Sequence, residues 1–253
     1  MRFRPDKHRL PVYDRSGVLL VNKPKDWTSH DVVAFIRSRF NAAKCGHCGT
    51  LDPAATGLLV VVLGKFTKLS QKFSGQDKVY EGTILLGTET DSQDMDGNVI
   101  RQSDWSGITE PQLRGAFASF VGDIEQVPPM VSAVKKDGAR LYELARKGQE
   151  IEREPKQISI YSIDITRVAL PYADFTVECS KGTYVRTLCA DVGARLGCGA
   201  ALYRLNRLRS GEFSLDDAVD IETVKQWTQD DLDNWVTGFL HNRLARMSCF
   251  TGN

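Results

Sequence analysis

Two uninterrupted apolar stretches, Gly17–Val21 (GVLLV) and Leu58–Leu63 (LLVVVL), constrain the fold of this chain more than any other feature. Both are far too short to span a bilayer, and their branched residues make each read as a buried strand. Between them, Thr28-Ser29 caps a helix predicted to run to Phe40, with Val32, Val33, Phe35 and Ile36 on its apolar side. Val79–Gly87 reads as a strand leading into the polar turn TETDSQDMDG, after which Asn98–Arg101 resumes. Glu110-Pro111 opens a helix towards Phe120. Gln126–Lys136, with Pro128-Pro129, reads as a loop, and Ala139–Lys147 has helical spacing that Gly148 ends. Ile158–Val168 and Phe175–Cys179 read as strands joined at Pro171. Tyr184–Leu196 has the spacing of a one-faced helix, and Leu202–Leu208 reads as a strand. The expected class is mixed α/β (α+β): one domain over 1–213 and a short acidic extension over 214–253.

The 253 residues carry a net charge of only +1, but the charge is segregated. Residues 1–44 hold ten Lys/Arg against four Asp, and 181–209 hold six against Asp191 alone, whereas 212–236 hold eight acids against Lys225. Such a distribution suits one face that meets phosphates and an acidic segment kept from it, although a solvated charged surface would look the same. The basic N-terminus lacks the apolar core of a secretory signal, so a cytoplasmic location is expected. Six cysteines scattered without small-scaffold spacing are expected to be reduced.

Residues 45–53, CGHCGTLDP, offer three chemistries. A redox dithiol needs its first cysteine at a helix N-terminus, and Pro53 with the glycines argues against a helix at Cys45. A zinc site needs a second ligand pair at regular spacing, and none follows. The remaining possibility is Asp52, on a bend framed by Gly46, Gly49 and Gly57, fixed by Pro53 and anchored by Leu58–Leu63. An Asp in such a bend can also be a plain turn-former.

GHCGTLDPAATGLLVVVLGKFTKL resembles the signature loop of the TruB family of tRNA pseudouridine synthases. In the same order, VNKPKDWTSHDVV (21–33), DKVYEGTILLGTETDSQDMDG (77–97), QVPPMVSAVKKDGARLYELARKG (126–148), SKGTYVRTLCADVGARLGCGA (180–200) and LNRLRSGEF (205–213) also resemble that family. The resemblance implies a mixed, mostly antiparallel central sheet flanked by helices and loops, with a thumb-like RNA-binding insertion at about 125–153. It implies isomerisation of a uridine in the tRNA T-loop, conventionally position 55. The product is an isomer, so neither metal nor cofactor is called for. A glycosidase would need two carboxylates and a water, and only Asp52 stands in this loop.

By the same resemblance, Asp52 is the reactive carboxylate, Arg186 its cationic partner, and Tyr80 the base-stacking tyrosine. Tyr184 belongs to the pocket wall, and His47 props rearranged loop nucleotides. Leu205 closes the pocket, and Lys23-Pro24 supports it. Lys135, Lys136 and Arg140, with Arg146 and Lys147, grip the T-arm. The expected partner is a T-stem-loop with an everted base, bound by a monomer without membrane or metal. Cys48 stands where relatives often carry Thr, and the region after Phe213 is too short and too acidic for a PUA-type RNA-binding domain, so a compact form is expected. A tRNA-folding module without chemistry, which the basic patches alone would allow, is the alternative.

Overall fold

The two apolar runs become neighbouring strands. The structure, a computed structural model, describes residues 10–130, 135–136, 139–140 and 153–249. It divides into two units, the first built from residues 1–76 and 207–253 and the second from 77–206. The first unit begins with β1 (Gly17–Lys23), α1 (Ser29–Arg39), β2 (Cys45–Cys48) and β3 (Thr56–Leu63), followed by a 3-10 turn over Gly64–Leu69 and the short α2 (Ser70–Ser74). β1 lies antiparallel to β3, with Gly17 facing Leu63 and Lys23 facing Gly57, and β2 pairs with β3 from Cys45–Leu63 to Cys48–Val60.

Because side chains alternate across a strand, an unbroken apolar run means burial on both faces. Leu19, Val21, Leu59, Val61 and Leu63 pack with Val32, Ile36 and Phe40 of the α1 region on one side. Val18, Leu20, Leu58, Val60 and Val62 pack with Cys48 and Phe213 on the other. Burying each such side chain contributes about 1.5–3 kcal/mol. α1 starts where the sequence places it: Thr28 accepts from the Asp31 amide at 3.0 Å, and the Asp31 carboxylate accepts from the Thr28 amide at 2.9 Å.

The second unit holds β4 (Lys78–Leu86), the ribbon β5 (Thr88–Thr90) and β6 (Val99–Gln102), α3 (Glu110–Ala118) and β7 (Gly122–Gln126). The two-residue strands β8 (Lys135–Lys136) and β9 (Ala139–Arg140), then β10 (Lys156–Ala169), β11 (Tyr172–Cys179) and α4 (Val185–Leu196) follow. Its sheet runs β4-β11-β10-β7, antiparallel throughout. Phe117 of α3 packs on Phe175 of β11, ring centroids 5.1 Å apart, and the opposing β4 position is Gly82 because a Cβ there would come within 2.7 Å of the Phe175 ring. Ala139-Arg140 form a strand rather than the start of the expected helix; residues 141–147 lie outside the described residues, as does most of the thumb-like segment. β7 occupies residues not read as a strand.

β12 (Ala200–Ser210) leaves the second unit and ends in the first, where β13 (Phe213–Ser214), β14 (Val219–Asp220), α5 (Ile221–Gln226) and α6 (Gln229–Cys249) follow. β14 runs parallel to β1, Val219 beside Val21. Residues 214–236, read from sequence as an acidic extension, supply Val219, Ile221, Val224, Leu232 and Val236 to the core while Asp216, Asp217, Asp220, Glu222, Asp230 and Asp231 stay exposed. No helix of the described residues is long and apolar enough to cross a membrane.

Candidate active site

The bend carrying Asp52 is fastened at nearly every residue. Gly49 takes φ +82° and Gly57 φ +99°, conformations in which a side chain would be strained, so the chain can leave β2 and re-enter at β3. The Gly49 carbonyl accepts from Arg207 Nη2 at 3.0 Å. Leu51 is held twice by the buried Ser29 hydroxyl, which accepts from its amide at 2.8 Å and donates to its carbonyl at 3.2 Å. The Asp52 carbonyl accepts from the Ala55 amide at 3.1 Å, and the Pro53 carbonyl from the Asp26 amide at 2.9 Å. Lys23 is wholly buried, and its ammonium donates to the carbonyls of Pro24 (2.9 Å), Trp27 (2.5 Å) and Pro53 (3.2 Å). Burial lowers the Lys23 pKa to about 8 against the raising attraction of Asp52. Asp52 itself is only half-buried.

β2 disposes of the dithiol. Gly46 lies inside this strand rather than in a loop. Cys45 and Cys48, three apart on one strand, pack against opposite clusters, so their sulfurs face away from each other. Neither is disulfide-bonded, and burial pushes Cys45 up to about 12, unsuited to thiolate chemistry. His47 stands between them, opposite Val61. Burial first, then the charges of Arg207 and His30, hold its pKa below the usual value, so a neutral imidazole is presented. Its buried Nδ1 has no hydrogen-bond partner among the described residues.

In the second unit Tyr80 sits on β4 opposite Val177, 8% exposed. Tyr184 caps α4, and its backbone is clamped by the buried Gln126, whose Oε1 accepts from the Tyr184 amide at 2.8 Å and whose Nε2 donates to its carbonyl at 3.1 Å. Arg186, in the first turn of α4, is buried; its Nη1 lies 3.4 Å from Asp94 Oδ2, and its guanidinium carbon 5.8 Å from the Tyr184 ring centroid. Asp94 is fixed in turn: its carbonyl accepts from Thr90 Oγ1 at 2.6 Å, and its Oδ1 from the Asp96 amide at 3.1 Å. Gln93, at φ +67°, accepts from Thr187 of α4 at 2.7 Å, tying the same turn to the helix. Leu205 is half-buried on β12. Lys135, Lys136 and Arg140 lie on the β8–β9 hairpin, Lys135 opposite Arg140 in register; Arg146 and Lys147 fall outside the described residues.

A family model described as "TruB family pseudouridylate synthase (N terminal domain)" matches residues 37–185. The chain belongs to this family. A second model, "tRNA pseudouridylate synthase B C-terminal domain", matches residues 186–243 of this TruB-family chain. Among curated relatives, tRNA pseudouridine synthase B of Opitutus terrae is 51% identical over 215 residues, covering 85% of this chain and 89% of the relative. The enzyme of the same name from Geobacter sulfurreducens is 47% identical, covering 83% and 69%. A chain in the crystal structure of a Cbf5-Nop10-Gar1 complex superimposes with TM-score 0.66 at 29% identity over 83% of this chain, which spans about half of it (54%).

Four residues that hold the candidate side chains in place were missed in the sequence. Ser29 and Arg207 hold the Asp52 bend, and Asp94 and Gln126 hold Arg186 and Tyr184. Asp94 hid in a turn rich in Asp, where one more acid is unremarked. Arg207 had a weak signal: a charge within the otherwise strand-like Leu202–Leu208.

Proposed function

We propose that this chain isomerises a uridine of the tRNA T-loop, conventionally position 55, to pseudouridine, with Asp52 as the reacting carboxylate. Family membership and the likeness to enzymes named tRNA pseudouridine synthase B support the reaction class. The observation that carries the assignment of Asp52 is its setting: a half-buried carboxylate on a bend whose flanking residues are pinned by Arg207, Ser29 and Lys23. Such fixing supplies the orientation that a reacting group needs before the substrate arrives.

The reaction breaks C1′–N1, turns the uracil and joins C1′ to C5; the C5 proton leaves and N1 gains one. Atoms and charge balance with the RNA alone, so one carboxylate at the sugar–base junction suffices. Arg186 is assigned to charge that accompanies the bond change, Tyr80 to stacking on the everted base, and Tyr184 and Leu205 to the pocket wall. The neutral ring of His47 suits contact with splayed nucleotides through its face. Eversion costs a few kcal/mol, which stacking at about 1–3 kcal/mol per base can offset. Lys23-Pro24 supports the bend, and Lys135, Lys136 and Arg140 are assigned to the T-stem phosphates. A single copy of the chain supplies every residue named.

Release of tritium from a tRNA transcript labelled at uridine C5 tests this. Asp52→Asn should abolish release while tRNA still binds. Wild-type protein that binds without release would turn the reading towards an RNA-folding module, and full release by Asp52→Asn would remove Asp52 from its role.

A further inference from the structure

We propose that Arg207 is a positioning residue for Asp52, a staple closing the bend from Gly49 to Leu58; the proposal rests on the reading of Asp52 as the reacting group. One guanidinium reaches both mouths of the bend: Nη2 donates to the Gly49 carbonyl at 3.0 Å and Nε to the Leu58 carbonyl at 2.7 Å. Gly49 directly follows β2, and Leu58 lies just inside β3. Arg207 therefore sets the distance between the two strand ends from which Asp52 projects. Ser29 pins Leu51 on one side of Asp52, and Lys23 pins Pro53 on the other.

Arg207 is 1% exposed and makes no ion pair among the described residues. Taking a guanidinium out of water costs at least as much as two hydrogen bonds to neutral carbonyls return. As a contribution to stability the residue is a poor choice; an apolar side chain of similar volume would serve the core as well. What the planar fork supplies, and an apolar chain cannot, is a fixed spacing between two acceptors. Its charge also acts on the strands beside the bend, helping to hold His47 of β2 neutral and lowering the pKa of Lys23 at the end of β1.

Arg207→Lys separates these roles, because a lysine keeps the charge and most of the volume but is a point donor on a flexible stem. Three readouts are taken on the full chain: tRNA affinity, single-turnover tritium release at saturating tRNA, and hydrogen–deuterium exchange resolved along the chain. The expected result is affinity within about threefold of wild type and a single-turnover rate lower by about 30–100-fold. Faster exchange should be confined to residues 49–58. A rate within about twofold of wild type, a loss expressed in affinity alone, or faster exchange spread through β1 and β3 would overturn the staple. Ser29→Ala loosens the same bend without a buried charge change and should slow turnover by about 3–10-fold; no change there would also count against it. If wild-type protein releases no tritium, the reading of Asp52 fails, and the exchange pattern alone decides whether Arg207 closes the bend.

Discussion

In the first unit two buried cations, Lys23 and Arg207, grip backbone carbonyls, whereas in the second a buried cation, Arg186, grips a buried carboxylate, Asp94. The first arrangement fixes where the stretch of backbone that carries Asp52 runs. The second fixes a side chain directly, with a charge partner supplied by the protein itself. Under the proposed assignment, a reacting carboxylate and a supporting guanidinium ask for these different treatments. The acid must meet substrate from a rigid turn, and a buried cation needs a resident anion when no substrate is bound.

The largest effect that separates the two halves is expected from Asp94→Ala. Removing the acid takes a buried anionic partner from Arg186, and urea unfolding should show a loss of about 3–5 kcal/mol with turnover falling alongside it. A loss below about 1 kcal/mol would mean that Arg186 is held by other contacts, and the contrast would dissolve. Next comes Leu232→Ala, a cavity in the first unit's core made by the acidic C-terminal stretch; about 2–5 kcal/mol is expected, with the rate constant at saturating tRNA unchanged. A negligible loss would return residues 214–236 to the status of an appendage.

Smaller still is the titration of Lys23, followed by NMR of its side-chain carbons. Its folded pKa is lowered to about 8, so between 10.5 and 8 the unfolded chain takes up a proton that the folded chain does not. Stability should therefore rise with pH across that window, and Lys23→Met should remove this part of the slope. A midpoint near 10.5 would show that the ammonium is solvated and not clamped on the Pro53 carbonyl. The smallest effect is expected from Cys45→Ser combined with Cys48→Ala: tritium release within about twofold of wild type, since neither thiol is placed for chemistry.

The fold was legible where local pattern and packing agree. GVLLV and LLVVVL announced buried strands, and Thr28-Ser29 announced the start of α1, each within two residues of its position. β2 was not legible, because CGHC is too short and too mixed to show a period and takes its conformation from pairing with β3. The C-terminal helices escaped because charge dominated the reading: the acids of 214–236 are conspicuous in the sequence, whereas Val219, Ile221, Val224, Leu232 and Val236 are spaced across three separate elements. For the site, motifs named the residues proposed to face a substrate. The residues that hold them act through contacts remote in sequence, such as Arg207 on Gly49 and Asp94 on Arg186, and no local spacing encodes those.

Position-resolved mapping of pseudouridine in a tRNA transcript incubated with wild-type or Asp52→Asn protein tests the central claim most directly. The account predicts one new pseudouridine, in the T-loop at position 55, formed by the wild type and absent with the variant at equal tRNA occupancy. The same modification formed by the variant, or no modification by a wild-type protein that binds the tRNA, would contradict it.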